Sequence, residues 1–217
     1  MIKEKLLIVD DIINIVNDIK RKLEIEFPEY EIIGVTDCDH ALYVLEQQDI
    51  AILLLDITFN NRKLTTIGDG KQLLKILQNK KIEVPTIIFS THDSLEILYP
   101  IIANYKPKGY VQKNEDSDQD LVYTIKKVAK GYVEYGQKLN QALLNRTQLE
   151  FSLDAQDLLI IEHLAKAKNY VELADKKLNM DRKTISRKLE RLRFVFDVDT
   201  DKQLLLKLQH LGFSISY

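Results

Sequence analysis

Three aspartates stand directly after two short apolar runs. Asp56 follows residues 50–55, and the pair Asp10-Asp11 follows residues 6–9. Apolar runs this short that end abruptly at acids are typical of buried parallel strands. The carboxyl ends of such strands open into the crevice where ligands of open α/β sheets bind, so the three carboxylates are expected to meet there. Their mutual repulsion favours a hard divalent cation beside a reactive aspartate.

The strands that must position these aspartates belong to an alternating pattern. The runs predicted to be strands are residues 6–9, 31–35, 50–55, 86–90 and 109–112. The amphipathic stretches predicted to be helices lie near 12–26, 39–48, 70–79, 94–104 and 118–130. Alternation of this kind indicates βαβ units and right-handed crossovers. The predicted fold class is an α/β doubly wound, five-stranded parallel sheet of the flavodoxin type, followed by a small all-α domain.

From residue 152 onward the strand pattern stops. Helical patterns lie near 154–166, 170–178, 182–195 and 201–211. Asp181 is suited to N-cap the third of these helices after a tight turn, which is the helix-turn-helix pattern. Residues 131–151 change composition and are expected to be a partly helical linker. The chain is therefore divided into domains at 1–130 and 152–217, joined by 131–151.

Composition and charge narrow the class of protein. The net charge of −2 over 217 residues gives no global sign of a nucleic-acid partner. The single cysteine, Cys38, cannot form an internal disulfide, and four scattered histidines argue against structural zinc. No apolar stretch is long enough to span a bilayer, and the N-terminus lacks a signal-peptide pattern, so a cytoplasmic location without a membrane partner is expected.

A local concentration of charge lies in the predicted helix 182–195. Between Arg182 and Arg193, six basic residues stand with one acid, Glu190. This is the electrostatic pattern expected of a helix that contacts a phosphate backbone.

Residues 5 to about 130 resemble a response-regulator receiver domain. The resemblance rests on Asp10-Asp11 after the first strand, Asp56 after the third, Ser90 ending the fourth and Lys113 after the fifth. It implies that a sensor histidine kinase transfers a phosphoryl group to Asp56. An anion that attacks an anionic phosphoryl group needs a metal to neutralise charge. The ligands that the resemblance assigns to Mg²⁺ are Asp10 (through water), Asp11, Asp56 and the backbone carbonyl of Thr58.

The resemblance also assigns roles to three residues around the acceptor. Lys113 is expected to pair with Asp56 and then with the phosphoryl oxygens. The Ser90 hydroxyl is expected to donate a hydrogen bond to the new phosphoryl group. Tyr110 is expected to rotate inward as Ser90 is drawn toward the site.

Residues 152–217 are similar to the LuxR-type helix-turn-helix of the NarL/FixJ class of regulators. The similarity rests on residues 173–178, 181–185 and 200–213, and it implies that helix 182–195 enters the major groove of double-stranded DNA. The residues expected to contact DNA are Arg182, Lys183, Ser186, Arg187, Lys188, Glu190 and Arg191. Base edges are assigned to Ser186, Arg187 and Glu190, and phosphates to Lys183, Lys188 and Arg191. The buried side is assigned to Thr184, Ile185, Leu189 and Leu192.

We therefore expect a two-component response regulator that forms a homodimer when phosphorylated and controls transcription by sequence-specific DNA binding. Two departures from the receiver pattern keep an alternative open. Gly70, the matching glycine, lies 14 residues after Asp56, which predicts an extended loop, and Thr91 stands where a smaller residue is usual. The alternative is a phosphorylation-independent DNA-binding regulator that uses the receiver as a dimerisation or ligand-sensing module.

An enzyme is not expected. A hydrolase of the haloacid dehalogenase type is disfavoured, because Asp56-Ile57-Thr58 lacks the second aspartate that would act as general acid.

Overall fold

The three aspartates follow strands of one parallel sheet. The computed structural model describes residues 3–59, 65–114, 117–165, 178 and 180–213. The strands are β1 (Glu4–Val9), β2 (Tyr30–Val35), β3 (Ile52–Leu55), β4 (Thr86–Ser90) and β5 (Gly109–Gln112), in the order β2-β1-β3-β4-β5. Every neighbouring pair of these strands is parallel. The predicted fold class is confirmed.

Helices flank this sheet. They are α1 (Ile13–Glu26), α2 (Cys38–Gln47), α3 (Gly70–Lys80), α4 (Leu95–Tyr105) and α5 (Ser117–Val128). Aspartates begin two of them: the Asp37 carboxylate accepts from the His40 amide at 2.7 Å, and the Asp69 carboxylate accepts from the Gln72 amide at 2.8 Å. Side-chain acceptors at this position satisfy amide groups that the first helical turn leaves unpaired.

The central strands are buried because their side chains face helices on both sides. Leu6, Leu53 and Ile87 are fully buried. Continuous apolar strands of this kind are typical of parallel sheets covered on both faces. The apolar runs that were predicted to be strands therefore form the buried sheet that the three aspartates follow.

The edge strand β5 has a partner outside the five strands. Glu134 forms an isolated bridge with Gly109. Its carbonyl accepts from the Tyr110 amide, and its amide donates to the Lys108 carbonyl, both at 2.9 Å. The backbone after α5 thus lies along the outer side of β5.

The chain divides into two compact units. The first comprises residues 1–93 and 101–137, and the second comprises 94–100 and 138–217. The division falls within α4 at Pro100. Proline removes a hydrogen bond from a helix interior, so this is a point where α4 lacks one backbone link.

The described part of the second unit is helical. Besides the first half of α4 it contains all but the first two residues of α6 (Gly136–Phe151), and the whole of α7 (Ala155–Leu164), α8 (Arg182–Val195) and α9 (Asp201–His210). Helix α6 occupies most of the predicted linker. The predicted helix 170–178 falls almost wholly outside the described residues, which include only Leu178 of that stretch. The core of the unit includes Ile160, Ile185, Leu189, Leu204 and Leu208.

Among the helices that the structure describes, none combines the length and the apolar character required to cross a membrane.

Candidate functional site

The carboxylates of Asp10, Asp11 and Asp56 meet at the carboxyl end of the sheet. Their oxygens lie within 4.8 Å of one another. Strand register brings them together: Val9 pairs with Leu55, and the Asp56 amide donates to the Val9 carbonyl at 2.9 Å. The residues that follow two adjacent strands therefore stand side by side, as the sequence predicted.

Lys113 lies against two of these carboxylates. Its Nζ is 2.5 Å from Asp10 Oδ2 and 2.6 Å from Asp56 Oδ2. The chain holds this lysine in place directly after β5, where its amide donates to the Ser90 carbonyl at 2.8 Å. Burial raises the pKa of Asp10, and the hydrogen bond and charge of Lys113 oppose that rise. The ion pair predicted between Lys113 and Asp56 is thus present, and Asp10 shares it.

The acidic cluster has the composition of a cation site. Three carboxylates meet here, and the Lys113 ammonium group pairs with those of Asp10 and Asp56. Hard divalent cations prefer oxygen ligands, and carboxylates are the ones that such cations bind most often in proteins. Thr58 adds polar groups here: its amide donates to Asp56 Oδ1 at 3.2 Å, and its buried Oγ1 has no hydrogen-bond partner within the described part of the chain. This group of residues could hold a metal ion.

Ser90, His92 and Tyr110 form a hydrogen-bonded chain beside the cluster. Ser90 is fully buried at the end of β4, and its Oγ accepts from the His92 amide at 3.4 Å. The Tyr110 hydroxyl donates to the His92 carbonyl at 2.6 Å. Burial raises the pKa of Tyr110 to about 12, so its hydroxyl stays protonated and remains a donor near neutral pH. Tyr110 is buried, and its predicted rotation between two positions stays a prediction. No sequence pattern predicts that the His92 carbonyl is the acceptor for Tyr110.

Gly70 sits directly against the phosphoacceptor candidate. A Cβ at this position would lie 2.0 Å from the Asp56 carbonyl oxygen. The first turn of α3 therefore touches the Asp56 backbone, and only glycine permits that approach. Residues 60–64 of the predicted extended loop lie outside the described residues. Beyond them, the Thr66 amide donates to the Asp39 carboxylate at 2.7 Å.

Helix α8 presents a polar face that includes most of the residues predicted to contact DNA. The exposed ones are Arg182, Lys183, Ser186, Arg187, Glu190 and Arg191. Ile185, Leu189 and Leu192 are buried, as their spacing predicted. Thr184 is only half-buried, because its amide and hydroxyl both donate to Asp181 at the helix start.

The assignment of Lys188 to a phosphate is corrected. The Lys188 side chain is buried, with its Nζ 2.6 Å from Asp154 Oδ2 and 3.1 Å from Asp157 Oδ1. A buried ammonium group needs compensating carboxylates, and position 188 lies on the same side of α8 as Ile185 and Leu189. The sequence reading missed these acids, although the Asp-x-x-Asp spacing at the start of α7 is a capping-box pattern.

Arg191 is also engaged within the second unit. Its guanidinium donates to Asp157 at 2.5 Å and to the Ser152 carbonyl at 2.7 Å, although 46% of the side chain remains exposed. Asp157 is completely buried and accepts hydrogen bonds from both Lys188 and Arg191. These contacts fix α8 against α7, and they leave Arg182, Lys183 and Arg187 as the exposed cations on the first two turns of α8.

Comparison with known proteins places the first unit in a family. The family described as the response regulator receiver domain matches residues 6–126, more than half of the chain. No curated protein matches this sequence.

Solved structures resemble both parts of the chain. A structure described as two RcsB dimers bound to two parallel DNAs has 21% identity and a TM-score of 0.66, and the match covers 96% of this chain and 99% of that one. RcsB from Salmonella enterica serovar Typhimurium, bound to a promoter with the phosphomimetic BeF3⁻, has 21% identity, a TM-score of 0.62 and coverage of 97% and 100%. A CheY-like receiver domain protein from Methanospirillum hungatei JF-1 has 24% identity, a TM-score of 0.51 and coverage of 60% and 96%. At these identities the likeness shows the fold, a receiver sheet followed by a helical unit.

Proposed function

The chain belongs to the response regulator receiver family, and from this we propose that it is a two-component response regulator. A sensor histidine kinase phosphorylates Asp56, and this phosphorylation controls sequence-specific DNA binding by the second unit and hence transcription. The observation that carries the proposal is Lys113, with its ammonium group on both Asp10 and Asp56 at the edge of a three-carboxylate cluster.

The proposed reaction is a phosphoryl transfer to the Asp56 carboxylate. An Asp56 oxygen attacks phosphorus, the bond from phosphorus to the kinase histidine nitrogen breaks, and that nitrogen keeps the electron pair. Lys113 orients the acceptor before transfer and pairs with the phosphoryl oxygens afterwards. The Ser90 hydroxyl donates a hydrogen bond to the same phosphoryl group. Since the chain only accepts the phosphoryl group, we do not propose an enzyme.

The proposed metal is Mg²⁺, held by Asp10, Asp11, Asp56 and the backbone carbonyl of Thr58. The donor set supports it, because hard oxygen ligands suit this ion. When bound, Mg²⁺ supplies charge neutralisation for the transfer.

The proposed output is binding of double-stranded DNA through α8. Ser186, Arg187 and Glu190 are exposed and are assigned to base edges, and Lys183 is assigned to phosphates. Arg182 is exposed at the start of the helix and remains a proposed DNA contact. Arg191 also remains a proposed DNA contact, although its guanidinium pairs with Asp157 as well. Lys188 is no longer included. The structures of DNA-bound RcsB, which share the fold, support the assignment, and the RcsB dimers support a homodimer in the phosphorylated state.

The phosphorylation-independent alternative is not favoured. The ion pair between Lys113 and Asp56 and the buried hydroxyl of Ser90 support a receiver reaction. A cytoplasmic setting is proposed with the function, and the free, buried thiol of Cys38 is compatible with it.

Intact mass tests the receiver reaction. The protein is incubated with Mg²⁺ and a small acyl-phosphate donor, alongside Asp56→Asn as the matched control. We expect a gain of one phosphoryl group that the variant loses. No gain from this donor, repeated with phosphorylated sensor kinases as donors, would contradict the proposal.

DNA selection at fixed salt tests the output. Arg187→Ala should relax sequence preference and cost about 1–3 kcal/mol at one base position, as expected for a lost arginine–guanine contact. Lys183→Ala should weaken binding to all sequences alike and reduce the salt dependence of affinity. Lys202→Ala, an exposed lysine of α9, is the control. Identical behaviour of the Arg187 and Lys183 variants would overturn the assignment.

A further inference from the structure

A cleft lies at the end of the receiver sheet opposite to Asp56. Its volume is about 660 Å³, and its walls are the end of α3, the loop 81–85, the first residue of β4 and residues 105–108. Thr86 begins β4, whereas Asp56 follows the carboxyl end of β3, so the two sites occupy opposite ends of the sheet. Pockets of roughly 300–1,000 Å³ are typical of small-molecule sites.

Three lysines give this cleft a positive rim. Lys81, Lys106 and Lys108 line it, and all three are exposed. Glu83 is the acid among the lining residues. Within the described part of the chain, none of the three ammonium groups takes part in an ion pair, whereas the neighbouring Lys80 pairs with Glu46 at 2.9 Å. The cleft therefore offers cationic groups that its own fold does not neutralise.

The wall beneath these lysines is apolar. It is formed by Leu74, Leu77, Ile82, Val84, Pro85, Tyr105 and Pro107. The Gln78 side chain donates to the Asn104 carbonyl at 2.9 Å and so links α3 to α4 beside the cleft. An apolar wall under a charged rim suits a ligand with a flat apolar body and an anionic end.

Two of the lysines stand where the backbone favours a different residue. Lys81 has φ +56° and Lys106 has φ +49°, each directly after a helix. Left-handed residues that end helices are most often glycine, sometimes asparagine. A lysine at a helix end also interacts favourably with the helix dipole, so a structural role and a ligand-binding role need an experiment that separates them.

We propose that this cleft binds a small amphipathic anion. Its planar apolar part lies against Ile82 and Tyr105, and its carboxylate or phosphate lies on Lys81, Lys106 and Lys108. This site goes beyond the proposed function and does not depend on it, since neither Asp56 nor α8 contributes to it.

The experiment compares two probes with the same ring. The full-length protein, without Mg²⁺, is titrated with 1-naphthyl phosphate and with 1-naphthoate, and binding is followed through backbone amide chemical shifts. We expect saturable shifts at the amides of residues 82–84 and 86 and of residues 105, 106 and 108, and the tighter probe identifies the anionic group. Neutral 1-naphthamide should bind more weakly than either anion. Asp56→Asn is titrated in parallel and should bind as the wild type does.

Glycine variants separate the two roles of the lysines. Lys81→Gly combined with Lys106→Gly removes both charges while satisfying the left-handed backbone, so the protein should remain folded. Affinity for the tighter probe should fall by about tenfold or more, because two charge-assisted contacts are lost. Lys75→Gln, an exposed lysine of α3 outside the cleft, should leave affinity unchanged, and Lys108→Gln should weaken it even if the glycine variant does not fold.

Three results would overturn the proposal: no saturable binding of either anion, shifts centred on residues outside the cleft, or unchanged affinity in the Lys108→Gln variant together with the glycine variant.

Discussion

Asp56, the proposed phosphoacceptor, is contacted by two single residues. Lys113 compensates its charge, and Gly70 allows α3 to approach its backbone. Both residues lie next to Asp56, so a substitution at either of them should change the geometry of the site more than it changes the rest of the fold.

Replacement of Gly70 tests the steric constraint. In Gly70→Ala the new Cβ would lie 2.0 Å from the Asp56 carbonyl oxygen, so the backbone must shift. Overpacking of this kind typically costs about 1–3 kcal/mol, and we expect this loss in denaturant unfolding together with slower phosphorylation. Gly68→Ala is the matched control, because its nearest neighbour is the mobile end of Gln72 at 3.3 Å. Equal stability and equal phosphorylation of the two variants would contradict the prediction.

Thr58 and His92 are predicted to set the lifetime of the phosphorylated state. Thr58 lies two residues beyond Asp56, with its amide on the acceptor carboxylate, and the His92 amide donates to the Ser90 hydroxyl. Smaller side chains at these positions should admit water more readily, so Thr58→Ala and His92→Ala should each lose the phosphoryl group several-fold faster. The loss of the phosphoryl group from purified phosphoprotein, followed by intact mass over time, gives the dephosphorylation rate. The idea fails if both variants decay at the wild-type rate.

The sequence predicted the residues of the site better than those of the α8 surface. Asp10, Asp56 and Lys113 follow strands, and register alone brings strand ends together. Lys188 was misplaced because helical periodicity does not say whether a lysine on the boundary of the buried face has a carboxylate opposite it. That carboxylate, Asp157, belongs to another helix.

Elements were predictable where apolar patterns are strong. Strands β4 and β5 and helix α8 have the predicted bounds, and the other described strands and helices except α6 differ by one or two residues at their ends. Helix α6 was predicted only in part, since its apolar residues are not concentrated on one face. The left-handed ends of α3 and α4 were not predicted, because lysine gives no signal for that conformation.

The start of α8 provides a prediction about pH. The Asp181 side chain accepts from the amide and the hydroxyl of Thr184, and these hydrogen bonds lower the pKa of Asp181. A lowered pKa means that the ionised cap stabilises the fold above the unfolded value of about 4, and that this stability is lost as the pH falls through the folded pKa.

Two variants separate the charge from the cap. Asp181→Asn keeps an acceptor, so its stability should depend less on pH, whereas Asp181→Ala should be destabilised at both pH values. Urea unfolding followed by helical circular dichroism, at about pH 7 and about pH 3, gives the comparison. Asp154 also has a lowered pKa and contributes to every curve, so the difference from the wild type is the quantity to use. An Asp181→Asn variant with the full wild-type pH dependence would contradict the prediction.

At the scale of the whole molecule, each of the two units has an apolar core of its own within the described part of the chain. One lies on the face of the sheet that α1 and α5 cover and includes Leu54, and the other includes Leu189 of α8. We therefore expect two thermal transitions. Mg²⁺ should raise the temperature of the receiver transition only. At a hundredfold excess over its Kd, binding adds about 2.7 kcal/mol to the free energy of unfolding of the receiver.

Scanning calorimetry with and without Mg²⁺ tests this expectation. Asp11→Asn is the control and should reduce the shift. A single transition that moves as a whole with Mg²⁺ would show that the two cores unfold together.

The bridge between Glu134 and Gly109 bears on whether another chain can add a strand to the edge of the sheet. An edge strand with free amide and carbonyl groups is a template onto which another chain can add a strand and start a fibril. Along β5, the Glu134 backbone already occupies the Tyr110 amide and the Lys108 carbonyl. We therefore expect this short backbone segment of the same polypeptide to hinder strand addition at that end of β5, although it does not form a sixth strand.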